Sequence, residues 1–359
     1  MSKQGTRTLP EMLTELQRQA SAKRDYVVPA SVLTLAGDGQ TFATVDGGDD
    51  GLSFTGTQLF HRQLGASMGI PAAYYEKMSV EDPTLLAHNV NTWLARSENS
   101  YMVRTMDYAD GRGYVGRAFL SQRYRRIDNL AIASALLKLF LGMEGCEVES
   151  CNVGESNMFI KLIFRLKQYE VKPGDYVAFG IIIKNSEVGQ GAAAVYPYIL
   201  RLVCSNGMVA TELGQRKHHV GRLLESGDDS YELYSDATLE AEDNAILLKM
   251  QDVARAAMDE SKYPLIVGKL QDSTAAKITG AVPKVVELTA KNYGLRKQEQ
   301  DDVLKYLIEG GDLSLYGLSN AVTRMSQDVE NYDRAVELEN VGWNMVTMAP
   351  EMWRAVNAR

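Results

Sequence analysis

The residues of this chain best suited to chemistry are arginines and tyrosines that alternate in its middle third. Arg104, Arg112, Arg117, Arg123, Arg125 and Arg126 are interleaved with Tyr101, Tyr108, Tyr114 and Tyr124. Guanidinium groups follow phosphates and aromatic faces take up bases, so the mixture suits single-stranded nucleic acid. The plain alternative is a strand pair whose arginines face water or pair with carboxylates elsewhere. A second basic group comprises Arg201 and then Arg216, Lys217, His218, His219 and Arg222. It could contact phosphate, or serve as an ordinary solvated loop.

A polar strand end offers a different chemistry. Asn185, Ser186 and Glu187 close a very apolar run just before Gly189, and Asn206 precedes Gly207 after the next one. One carboxylate beside amides could hold a cation or orient a substrate. A turn tied to its backbone by Asn and Ser side chains is the simpler use of the same residues. Cys146, Cys151 and Cys204 lack the two close pairs of a structural zinc site. The phosphate-loop motif GxxxxGK and the zincin HExxH are absent, so the usual signatures of those two chemistries are missing. No catalytic residue, metal or cofactor is assigned.

These residues need elements to position them. The segments around Tyr101 and Tyr114 alternate with period two and are joined across Asp110-Gly111, a hairpin signal. An apolar helix is expected from about Leu130 to Leu141 with Asp128 or Asn129 as its cap, and four further strands are expected between Cys146 and Cys204. Helical spacing dominates from Thr238 onward. The segment TQLFHRQLGASMGIPAAYYEKM has helix-turn-helix spacing, but its second half offers few base-edge donors and reads as two packed helices. Residues 1–50 read as one amphipathic helix, Leu9 to Arg18, then loops and a short hairpin. The expected fold is α+β. N-terminal helices occupy residues 1–95, a curved, mainly antiparallel sheet with one packed helix occupies 96–225, and a helical region occupies 226–359.

Composition narrows the partners. The chain has 359 residues, a net charge of −8 and three cysteines. A non-specific duplex coat is therefore disfavoured, and any polyanion site must be local. An odd cysteine count without a leader pattern points to a reducing, cytoplasmic setting, and no run is long and apolar enough for a membrane role. Charge is segregated: seven arginines face three acids between Arg96 and Arg126, whereas eleven acids face two cations between Glu225 and Glu260.

Several segments together resemble a phage- and plasmid-borne family of unknown function, domain of unknown function 932. They are FHRQLGASMGIPAAYYEKM, LSQRYRRIDN, IIIKNSEVGQGAAAVYPYILRLVCSNGM, KHHVG and YGLSNAVTRMSQDV, in order over about residues 54–343. The resemblance implies a bacterial host and carries no activity. The order of elements is also similar to phage single-strand annealing proteins such as Red-beta, a likeness of architecture alone. The leading expectation is a non-catalytic, self-associating protein that binds or anneals single strands in recombination or replication. The rivals are a metal-dependent enzyme on nucleic acid or nucleotides that uses Glu187, and a phage interaction protein whose acidic stretch contacts a host factor.

Overall fold

A computed structural model describes residues 7–44, 52–111, 113–124, 126–211, 215–217 and 236–358. Its chain is α+β and builds two sheets, where one was expected. The first sheet has the order β1-β5-β6-β4-β3-β2, and its pairings are antiparallel except β4 with β6. Its strands are β1 (Lys23–Pro29), β2 (Leu33–Leu35), β3 (Thr41–Thr44), β4 (Ser53–Gly56), β5 (Ser100–Asp107) and β6 (Tyr114–Ser121). The stretch up to residue 50 read as loops and a short hairpin therefore supplies three strands, β1 to β3, with β4 just beyond it, and the sheet runs across the expected boundary at residue 95. Strands of three or four residues carry too little periodic pattern to be distinguished from turns.

Helices α1 (Leu9–Ala22), α2 (Gln58–Ser67), α3 (Ala72–Glu81) and α4 (Pro83–Arg96) precede the β5-β6 hairpin. α2 to α4 cover the first sheet around Phe42, Phe54, Phe60 and Phe119. The Phe42 and Phe60 rings lie 4.9 Å apart and those of Phe60 and Phe119 5.6 Å. The α2-α3 pair is the expected packed pair, turned by Gly69 at φ +69°, a conformation glycine adopts without strain.

The second sheet runs β11-β10-β9-β8-β7, with β12 also paired to β10. The strands are β7 (Cys146–Val153), β8 (Met158–Lys172), β9 (Asp175–Asn185), β10 (Ala193–Arg201), β11 (Asn206–Val209) and β12 (Gln215–Lys217). Helices α1, α5 (Asn129–Phe140) and α6 (Asp236–Ala257) bury one face around Leu136, Ile160 and Ile183. Helices α7 (Tyr263–Ala275), α10 (Leu315–Met325) and α11 (Tyr332–Val346) bury the other, around Phe179, Tyr198 and Trp343. Because both faces are covered, β8 and β9 are apolar at successive positions instead of alternating. Helices α8 (Val282–Asn292), α9 (Lys297–Gly310) and α12 (Pro350–Asn357) pack with α10 into a further core. No helix among the described residues is long and apolar enough to cross a membrane.

Candidate functional site

The two sheets meet where β9 ends. Asn185, Ser186 and Glu187 are fully or almost fully buried there. The Glu187 carboxylate accepts from Lys23 Nζ at 2.8 Å, from Arg117 Nη1 at 3.1 Å and from the backbone N–H of Asn129 at 2.8 Å. That N–H opens α5, so the carboxylate lies at the positive end of the helix. Arg104 donates Nη1 to the Glu187 carbonyl at 2.8 Å. Its other nitrogens bond both oxygens of Asp25, at 2.9 and 3.0 Å, and Asp128 Oδ1 at 2.9 Å. Lys23 also lies 3.3 Å from Asp128. Three cations and three carboxylates thus neutralise one another at the junction, as buried charges must.

The electrostatics follow from that balance. Burial alone would raise the Glu187 carboxyl, but Lys23, and then Arg117 and Arg104, outweigh burial and the neighbouring Asp128 and hold it below the ordinary carboxylate range. Burial likewise opposes the charge on Arg104, and Asp25, Asp128 and Glu187 more than offset it, raising its pKa. With two ammonium or guanidinium groups and an N–H already on Glu187, the metal reading of this residue has no support. Among the described residues no group of three His, Cys, Asp or Glu is placed to hold a metal ion.

Polar side chains finish the junction. Asn185 Nδ2 donates to Ile127 O and Asn129 Oδ1, both at 2.9 Å. Ser186 Oγ donates to Ser156 O at 2.7 Å. Gln63 on α2 donates to Val188 O at 2.8 Å and accepts from the N–H of Phe119 at 2.9 Å. Gly189 sits at φ +75°, and a Cβ there would lie 2.7 Å from Leu120. The loop is therefore a tied turn that also clamps the first sheet to the second.

Arg104 and Arg117, both in the expected nucleic-acid-binding set, are drawn into this junction. They are 1% and 4% exposed, and carboxylates take up much of their hydrogen-bonding capacity. Tyr124 is also drawn inward. Its hydroxyl donates to Ser186 O at 3.1 Å, and burial pushes the phenol up to about 12. Arg123 is half-buried, whereas Arg126 is exposed and reaches Asp25 at 3.7 Å. Arg112, Arg125, His218, His219 and Arg222 lie outside the described residues. Arg216 and Lys217 are on β12, opposite Ala194 and Ala193 of β10, and hence at the junction end of the sheet.

Arg201 and Asn206 belong to the other end. Arg201 is opposite Val177 near the start of β9, so roughly 30 Å of strand separates it from Glu187. It bonds Asp175 through Nε at 2.8 Å and Nη2 at 2.7 Å. Asn206 Nδ2 donates to Asn320 O at 3.2 Å and Asn206 Oδ1 accepts from Gln327 at 2.8 Å. Asn185 and Glu187 therefore do not share a site with Asn206, and the second basic group is divided, with Arg201 at one end of the sheet and the backbone of Arg216 and Lys217 at the other.

Beside the junction is a cleft of about 100 Å³ that sequence reasoning missed. Thr57 and Gln58 at the start of α2, Arg62, Tyr108, Arg117, Glu155 and Ser156 line it. Thr57 caps α2, accepting from the N–H of Phe60 at 3.2 Å. Arg62 is exposed. The buried Nε of Arg117 has no hydrogen-bond partner among the described residues. The start of α2 with the Arg62 and Arg117 guanidiniums gives the cleft groups that can attract an anion, and Glu155 is the one carboxylate in its lining. The available signal was Thr57 before an amphipathic run, with Arg62 one turn beyond Gln58. The missing information was that β6 delivers Arg117 there.

Residues 118–223 match a family model described as a domain of unknown function (DUF932), a span narrower than the motif resemblance. No curated protein and no solved structure matches the chain. The matched span contains Asp128, Asn185 and Glu187, whereas Lys23, Asp25, Arg104 and Arg117 lie before it.

Proposed function

Because residues 118–223 match the domain of unknown function DUF932 and that description assigns no chemistry, we propose a function on geometric grounds: the junction end of the molecule binds the phosphates of single-stranded nucleic acid. The carrying observation is the cleft at the start of α2, where buried Arg117 keeps an unpartnered Nε beside exposed Arg62. Arg126 is exposed on the Asp25 side of the same junction, and the backbone of Arg216 and Lys217 reaches that end of the second sheet. Arg62, Arg117 and Arg126 give this end its cations in a chain of net charge −8, so attraction would be confined to one end. Phosphate contacts position a strand without reading its sequence.

Fluorescence anisotropy with a labelled single-stranded oligonucleotide and its duplex, across a salt series, tests the proposal. The single strand binds more tightly, and log affinity falls with log salt by about 0.7 per phosphate neutralised. Replacing Arg62 and Arg126 together by alanine lowers the affinity and flattens that slope by about 1.4. Undetectable binding, or binding indifferent to salt and strandedness, overturns the reading.

A further inference from the structure

A cavity of about 640 Å³ opens between α2, α3 and the turns beside β3 and β4. Two glycines shape its inner wall. A Cβ on Gly56 would lie 2.9 Å from His61 Nε2, and one on Gly65 would lie 2.8 Å from the Tyr75 ring. The two rings therefore press on bare backbone, and His61 Nδ1 and Tyr75 Oη meet at 2.7 Å. Burial pushes His61 down to about 4 and raises Tyr75. Both are therefore uncharged at neutral pH, although each can donate and accept a hydrogen bond. The volume falls in the range of small-molecule sites. Arg62 and Glu76 bring opposite charges to the lining, and a wall that otherwise offers aromatic faces, neutral hydrogen-bonding atoms and the amides of Gln40 and Gln58 suits a flat, nitrogen-rich ring.

Gln58 and Arg62 also line the phosphate-sized cleft. Cavity and cleft thus lie on either side of the first turns of α2 and share those two side chains as a wall. We propose that together they take one nucleoside phosphate, with its base in the cavity against His61 and Tyr75 and its phosphate in the cleft by Arg62 and Arg117. This rests on the phosphate reading of the cleft and adds the base. A free nucleotide and the phosphorylated end of a strand present the same chemistry to this site.

Calorimetric titration of the full chain with deoxyadenosine monophosphate, deoxyadenosine and inorganic phosphate tests it. The nucleotide binds at least tenfold more tightly than either fragment. Ala66→Trp and, from the facing helix, Ser79→Trp place bulk into the cavity from exposed positions. Each removes the advantage of the nucleotide over inorganic phosphate, with circular dichroism melting reporting whether the variant is folded. Displacement of bound nucleotide by a terminally phosphorylated oligonucleotide, and not by its unphosphorylated twin, assigns the site to strand ends; displacement by neither assigns it to free nucleotide. Phosphate and nucleotide binding equally in the parent chain overturns the inference and leaves the phosphate cleft standing. Failure of phosphate, nucleotide and oligonucleotide alike overturns both.

Discussion

Lys161 on β8 and Glu339 on α11, 178 residues apart in sequence, meet at 2.6 Å with neither side chain exposed. The ammonium also lies 5.2 Å from the ring centroids of Tyr198 and Tyr332. Removing one member of such a pair leaves a buried charge without its counterion. Lys161→Met is therefore expected to cost about 3 to 5 kcal/mol, and Lys161→Met with Glu339→Leu to recover much of it. Urea unfolding of both single variants and the double variant measures this. Two losses that simply add would show that the pair is not coupled.

Glu187→Gln keeps the shape of the junction and removes its central charge. Lys23 and Arg117 then lose their carboxylate, for an expected cost again of about 3 to 5 kcal/mol. The same group sets a pH dependence. Its folded-state pKa is lowered, so its stabilisation is complete above the ordinary carboxylate value and disappears as pH falls through the lowered one. Below about pH 4 the parent chain should lose stability more steeply than Glu187→Gln. Parallel acid limbs in thermal melts of the two chains would remove the carboxylate from this role.

His61 acts in a higher pH window. Burial lowers it to about 4, so the unfolded chain takes up this proton at about pH 6.5 and the folded chain resists until about pH 4. Stability is therefore full above pH 6.5 and falls between those values, by up to about 3 kcal/mol. His61→Phe lacks the titrating group and should show a flat profile across this window. A variant whose profile follows that of the parent would place the proton elsewhere.

Arg104 and Arg126 should separate stability from binding. Arg104→Ala leaves Asp25 and Asp128 without their shared guanidinium and should lower the melting temperature severely. Arg126 is 57% exposed and 3.7 Å from Asp25, so Arg126→Ala should cost no more than about 0.5 kcal/mol while weakening strand binding. Melting and anisotropy on the same preparations read both effects. An Arg126→Ala protein that melts early and binds normally would make Arg126 a purely structural residue.

The amino-acid sequence by itself determined the α+β class, the long strands β5 to β10, the position of α5 and the pairing of α2 with α3. The helices repeat a period of 3.6, and the strands are runs of eight residues or more, alternating or continuously apolar, so local pattern suffices for both. Tertiary structure decided the rest. The strands β2 to β4 are only three or four residues long, and pairing across the first sheet makes them visible. A sequence lists Arg104, Arg117, Arg123 and Arg126 as equal cations. Their fates diverge because neighbours distant in the chain supply Asp25, Asp128 and Glu187 to the first two and leave Arg126 largely in water. Arg201, Arg216 and Lys217 form one basic group along the chain, yet β10 carries Arg201 at one end of the sheet and pairs with Arg216 and Lys217 at the other. A side chain's charge is written in its own residue, whereas its partner and its access to solvent depend on which distant strand is placed beside it.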